Sequence, residues 1–341
     1  GKGVFESAPR FEKAGADWSG LKHEIKTLGE VTRRSGRPST FGLVYNAVRP
    51  DMSDVALAEV AAENRKGAEL RPQTTCRPIG VVLGIQHRTP WARAGETWKS
   101  MQDMNLGERL ALIRDSNTRR MLIEEANNPE KIHGGGSAMV DLSRLYLLDA
   151  ENPDYRVGPE GTLEAKAAQA GVTPVEYFLA ETDRSDGSVM LSLPILNQDY
   201  EAIETMMADE AIVMGLADAG AHVGQIMDSS QPTYFLSHWV RDTGFFTLEE
   251  GVRRITSDTA DLFGLVDRGR IVEGAYADVN VIDFERLSLI GPEYVHDFPG
   301  GAGRYIQRGT GYDVTIVNGK VFMEDGEHTG ELAGVTLRST D

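Results

Sequence analysis

Apolar and polar residues alternate along this chain in two textures. Short runs dense in Val, Ile, Leu and Phe predict strands over 3–9, 39–45, 78–85, 145–150 and 211–217. Between them the apolar positions fall at helical spacing. Leu21, Ile25, Leu28 and Val31 form one such face, closed by Gly36 and Pro38. Further helices are predicted over 54–70, with Ser53 or Asp54 as cap, and over 106–127, with a break near Ser116 and Asn117. The pattern continues with helices over 162–170, 174–182, 199–208, 230–241 and 248–263, and a short extra strand over 189–193. Strand and helix succeed one another about five times, which predicts a parallel sheet covered by helices. After Gly264 the runs shorten, over 270–272, 279–282 and 312–322, with turns at Glu273-Gly274, Asn318-Gly319 and Asp325-Gly326. This texture predicts a small β-rich module over 266–341 behind an α/β domain over 1–265, with 292–311 as a long loop inside it.

Two parallel architectures fit, an open doubly wound sheet or part of a (β/α)8 barrel. No G-x-G-x-x-G joins the first strand to its helix and no Walker motif occurs, so the dinucleotide fold loses its main support. The glycines Gly134, Gly135 and Gly136 follow His133 with no strand before them, and phosphate binding is not expected there. Five units are too few to close eight strands. The missing three would precede Gly1, and the opening directly into a strand without Met suggests upstream chain.

Charge narrows the partners. With 35 Lys+Arg against 52 Asp+Glu the formal net charge is -17, which disfavours nucleic acid and anionic membrane surfaces. No apolar run reaches the roughly 18 residues needed to span a bilayer, and the N-terminus has no signal-peptide core, so a cytoplasmic location is expected. The single cysteine, Cys76, allows no internal disulfide and reads as a packing residue beside a strand.

The chemistry concentrates at 211–222. A buried apolar run stops on Asp218, followed by Ala219, Gly220, Ala221 and His222. A carboxylate at the end of a buried strand is costly unless something binds or uses it. In parallel α/β folds the C-terminal strand ends are where sites are assembled. The competing reading, an Asp that caps a helix or starts a turn, fits the same pattern.

The segments T256SDTADLFGL265, G269RIVEGAYAD278 and V279NVID283 resemble the closing signature of the metal-dependent amidohydrolases. D297FPGG301, V317NGKV321 and D325GEHTG330 are similar to the N-acyl-D-amino-acid deacylase (D-aminoacylase) branch. The resemblance is strong over about 211–330 and looser upstream. It implies a (β/α)8 TIM-type barrel, here about its last five βα units, with a small C-terminal β-sandwich module. It also implies one or two zinc ions that polarise the amide and deprotonate water. On this reading Asp218 is the general base and acid and a metal-site residue. His222 orients substrate or oxyanion, unless it merely caps a helix, and His87 is a candidate metal ligand, unless it is a loop histidine.

Departures from the pattern qualify that expectation. The branch's H-x-H pair is absent from all 341 residues, and the run ending at Tyr45-Asn46 has no histidine. His23, His133, His238, His296 and His328 read as structural. The first zinc ligands are therefore expected outside this chain, from an upstream segment or a second chain that supplies the first barrel strands. Open sheet edges in a partial barrel favour association, and a homo-oligomer is expected. The expected substrate is a small amide, with N-acyl-D-amino acids foremost. A cyclic amide or imide hydrolase, or a non-catalytic partner lacking the metal site, are the alternatives.

Overall fold

The computed structural model describes residues 3–11, 17–128, 141–151, 153–156, 158–215, 220–226 and 228–337. Four parallel strands form the frame: β1 (Phe5–Ser7), β2 (Ser39–Phe41), β3 (Gln73–Thr74) and, far along the chain, a strand over Val213–Met214. β1 pairs with β2 in register Phe5↔Ser39, Glu6↔Thr40, Ser7↔Phe41. Parallel bridges Ser39↔Leu70 and Gly42↔Gln73 carry the sheet on to β3. β3 then pairs with the strand over Val213–Met214.

Helices over Ser19–Ser35 and Met52–Asn64 connect the first three strands, and one over Tyr200–Ala208 leads into the fourth. Their apolar faces meet one side of the sheet. Phe41 and Leu43 are packed with Leu21, Ile25, Leu57 and Met206, all buried, in a single cluster. The first helix ends where the sequence expected, at Gly36 with φ 63°, a left-handed conformation that glycine adopts freely. The second ends at Asn64, before the expected 70, because the chain must extend from Leu70 to lie along β2.

Between β3 and the fourth parallel strand the chain makes a long excursion, and here the expectation is corrected. The runs at 78–85 and 145–150 were expected as barrel strands. They instead form β4 (Ile79–Gly84) and β5 (Tyr146–Leu148), both antiparallel to β6 (Met190–Leu196) in a separate three-stranded sheet ordered β4-β6-β5. This sheet packs under the helices over Leu106–Arg114, Ser116–Ala126, Leu163–Ala170 and Pro174–Arg184, and encloses its own apolar cluster around Trp98, Ile113, Phe178 and Leu191. Apolar runs thus mark the sheet buried among helices, whereas β3, with Gln73 and Thr74, has none. Among the described residues the parallel strands number four rather than five. We number Val213–Met214 β7.

A helix over Gln231–Tyr234 continues in π register over Phe235–Asp242, and two short helices, Leu248–Ile255 and Ser257–Phe263, replace the single one expected over 248–263. The C-terminal strands are β8 (Val279–Ile282), β9 (Ser288–Leu289), β10 (Glu293–Val295), β11 (Arg304–Ile306), β12 (Gly309–Thr310), β13 (Tyr312–Val317), β14 (Lys320–Glu324) and β15 (Glu327–His328). They form an antiparallel sheet ordered β15-β14-β13-β8 and the two-stranded pairs β10-β11 and β9-β12. Asn318-Gly319 and Asp325-Gly326 make the expected tight turns, each with two positive φ angles. The segment 292–311 is not one long loop, since it holds β10, β11 and β12. No strand forms over 270–272. No helix among the described residues is long and apolar enough to cross a membrane.

Candidate active site

The face of the parallel sheet away from the core cluster carries small and polar side chains. Glu6 lies opposite Thr40, and Gln73 opposite both Gly42 and Val213. Gln73 Nε2 donates to Glu6 Oε1 at 2.9 Å. Gly215 makes room for this pair, because a Cβ there would stand 2.6 Å from Gln73 Oε1. At the C-terminal strand ends this face opens into a cleft of about 450 Å³, lined by Glu6, Ser7, Val44, Gln73, Thr75 and Gly215, with Ile79 and Leu196 contributed by the excursion. Strand ends of this kind are where parallel α/β folds place their chemistry.

Asn197, at the end of β6, braces the cleft. It is fully buried with φ 54°. Its Oδ1 accepts from the Tyr45 backbone N–H at 2.6 Å, its own N–H donates to Tyr45 O at 2.9 Å, and its Nδ2 donates to Thr75 Oγ1 at 2.8 Å. One residue thereby joins the chain just beyond β2, at Tyr45, to the chain just beyond β3, at Thr75.

Directly after β3 the chain buries a cation. Arg77, 2% exposed, donates from Nη1 to Asp228 Oδ1 at 2.7 Å and from Nη2 to Ser230 Oγ at 3.0 Å. Its guanidinium lies 3.8 Å from the Tyr155 ring centroid. Burial opposes the charge, and the Tyr155 and Asp228 neighbours outweigh it, so Arg77 is held above its ordinary pKa. Ser230 and Tyr155 both bond Gln307, which ties the strand end to the C-terminal strands. Cys76 is also buried, with its thiol donating to Gln231 Oε1 at 2.9 Å. None of Glu6, Gln73, Asn197, Arg77 or Asp228 was expected as a site residue. A carboxylate among apolar neighbours at Glu6 was the one signal in the sequence.

Asp218 and His133 lie outside the described residues. His222 is exposed with φ 44°, and its carbonyl accepts from the Gln225 and Ile226 N–H groups, at 2.7 and 3.0 Å. The loop it begins is held from two sides. Val82 N donates to Gln225 O at 2.6 Å, and Tyr305 N donates to Val223 O at 2.8 Å. His87 lies against the same loop, its Nε2 3.0 Å from where a Gly224 Cβ would stand. Its Nδ1 is 3.1 Å from the Tyr294 hydroxyl, and the two rings stack 5.0 Å apart. Burial first, then the Arg109 and Arg88 charges, lower the His87 pKa and favour the neutral imidazole. The structure thus brings His87 to the loop of His222, while neither lines the cleft.

The resemblance implies zinc, and a zinc ion needs a cluster of donor side chains. No group of three His, Cys, Asp or Glu side chains that could hold a metal occurs among the described residues. Cys76, the soft donor nearest the strand ends, is kept a neutral thiol, its pKa pushed up to about 12 by burial. The described residues therefore do not by themselves fit a zinc ion, which takes four ligands, or three and a water.

Residues 162–323 match the amidohydrolase family. A D-aminoacylase of Alcaligenes xylosoxydans xylosoxydans is 32% identical over 105 residues, 31% of this chain and 20% of that protein. An N-acyl-D-glutamate deacylase of the same organism is 47% identical over 55 residues, 16% of this chain and 11% of its own length. The matches thus span a fifth or less of these curated relatives. A solved D-aminoacylase mutant in complex with copper chloride superposes on 98% of this chain and 56% of its own, with TM-score 0.50 at 18% identity, a likeness of fold. The family match runs across the excursion's last helices, the fourth parallel strand and the C-terminal strands, and together with these relatives it supports assignment to the amidohydrolase superfamily, on the D-aminoacylase branch.

Proposed function

We propose that this chain forms the substrate-binding face of a metal-dependent hydrolase that cleaves the C–N bond of small amides, the class to which N-acyl-D-amino acids belong. The observation that carries the reading is the cleft at the C-terminal ends of four parallel strands, and in the sequence Asp218 follows the last of them. In this reading Asp218 takes a proton from the attacking water and passes it to the leaving nitrogen, as a carboxylate of moderate basicity can do. His222 orients the substrate, and Asp218 and His87 are the donors this chain would offer a metal. Two donors leave a zinc ion short of ligands. We therefore propose that the others come from an upstream segment or a second chain, and that the assembled protein is an oligomer. Hydrolysis of a small-amide panel by the metal-loaded protein tests the reading. Asp218→Asn is expected to lower kcat by about 10²–10⁴-fold with the fold intact by circular dichroism. Wild-type rates in that variant would reject the role.

A second reading, a non-catalytic partner that keeps the barrel face for assembly, draws on the missing three-donor group among the described residues. Metal analysis separates the two. Stoichiometric zinc with amidase activity supports the enzyme, and no metal under any pairing supports the partner. A cyclic amide or imide would enter the same cleft, and the amide panel should include one.

A further inference from the structure

We infer that Tyr294, in the C-terminal strands, is a positioning residue for the hydrolysis: through the His87 ring it fixes the loop over 220–226, which holds His222 and follows Asp218 in the sequence. The inference rests on the roles proposed for those two residues. The loop is fastened on both sides. Val223 O accepts from the Tyr305 N–H in β11, and Gln225 O accepts from the Val82 N–H in β4. Two such bonds leave an axis about which the loop could rock. Gly224, between them, supplies the third point. It presents a bare Cα to His87, since a Cβ there would stand 3.0 Å from Nε2.

His87 is itself held by backbone and ring. The buried Arg109 donates from Nη1 to the His87 carbonyl at 3.0 Å and to Ile85 O at 2.6 Å. The imidazole lies on the Tyr294 ring, 15° from parallel, with the Tyr294 hydroxyl 3.1 Å from Nδ1. Tyr294 is wedged in turn. It sits opposite Tyr305 across β10 and β11, ring centroids 4.9 Å apart edge to face, and a Cβ at Gly303 would collide with its ring. Stacked and edge-to-face contacts are the arrangements that aromatic rings favour. Two flat rings thus form a column with a glycine at each end, Gly303 before β11 and Gly224 in the loop. Neither glycine has a positive φ, so each serves close approach rather than an unusual backbone. A catalytic group displaced by about 1 Å can lose about 10²-fold in rate, so a column that sets the loop's position bears on the reaction without touching substrate.

Tyr294→Leu, Tyr294→Phe and Gly224→Ala in the full, metal-loaded protein test this. The readouts are steady-state kinetics on the best amide of the panel and hydrogen exchange of peptides over 220–226. Tyr294→Leu removes the ring and Gly224→Ala pushes His87 off the loop. Each should lower kcat about 10-fold or more with KM within about 2-fold. Each should also speed exchange over 220–226 about 10-fold while β6 exchanges as in the wild type. Tyr294→Phe keeps the stack and should stay within about 3-fold of the wild type in both readouts. The inference is overturned by kcat and exchange unmoved in Tyr294→Leu and Gly224→Ala, by a change confined to KM, or by faster exchange in β6 as well. Tyr294→Phe as damaged as Tyr294→Leu overturns it too. Should Tyr294→Leu not fold, Gly224→Ala decides by the same readouts. If the wild type hydrolyses no amide, the amidase reading fails on its own account and exchange alone decides. Faster exchange confined to 220–226 sustains the fixing of the loop by Tyr294, and unmoved exchange overturns it.

Discussion

Cys76 shows how a single side chain divides packing from reactivity. Its thiol is enclosed after β3, donates to Gln231 Oε1, and is pushed up to about 12 by burial, with the Arg77 charge opposing. The nucleophile is the thiolate, so a thiol held this high is inert at ordinary pH. A disulfide-exchange reagent at pH 8 should leave folded protein unlabelled and label it at once in denaturant; rapid labelling of native protein would contradict the burial. The linkage has a definite sign. The raised pKa contributes stability in full below the ordinary thiol range, and that contribution is lost as pH climbs from there toward about 12. At this scale the sequence was legible where a residue contrasts with its own neighbours. Asp218 after an apolar run and Cys76 beside one both stood out. Arg77 and Asp228 did not, because what makes each of them matter is a partner 151 residues away.

At the level of strands and helices, legibility followed burial rather than importance. The helices were readable from their apolar spacing, whereas the cap expected at Ser53 or Asp54 falls inside a helix that begins at Met52, after Asp51. The strands misled for a physical reason. Those of the excursion are sandwiched between apolar layers and spell continuous apolar runs, while β3 makes a two-residue ladder from Gln73 and Thr74 and faces the cleft. Asn197 is the element-scale device that compensates for such short ladders. Asn197→Ala would take the acceptor from the half-buried Tyr45 N–H, remove the Thr75 bond and put alanine at φ 54°. Each lost hydrogen bond costs about 1 kcal/mol and the backbone strain about 1 kcal/mol more, so a loss of about 2–4 kcal/mol is expected in denaturant titration. A loss under about 0.5 kcal/mol would show that the strand ends hold together without the brace.

Across the whole molecule, the candidate site draws on three regions that the sequence presents separately. The parallel strands give the cleft its floor, the excursion gives Ile79, Leu196 and Asn197, and the C-terminal strands hold the 220–226 loop through Tyr305. This convergence was invisible in sequence, since no local pattern reports that Val82 and Tyr305 bond the same loop. The pairing of β3 with β7 has a consequence for assembly in time. These strands meet across 140 positions of chain, as the Arg71 side chain bonding the Ala211 carbonyl also shows. Joining such distant partners is entropically costly until the intervening chain has shortened itself, which the β4–β6 hairpin-like pairing does by bringing Ile79 beside Leu196. The order of events should therefore run from the inside of the excursion outward. In pulse-labelled refolding, the Val213 and Gly215 amides, which donate to Pro72 O and Thr74 O, should gain protection after those of β6. Simultaneous protection would mean that the chain collapses as one unit. On the expected order, a nascent protein would carry a finished scaffold for some time before it owned anything able to recognise a substrate.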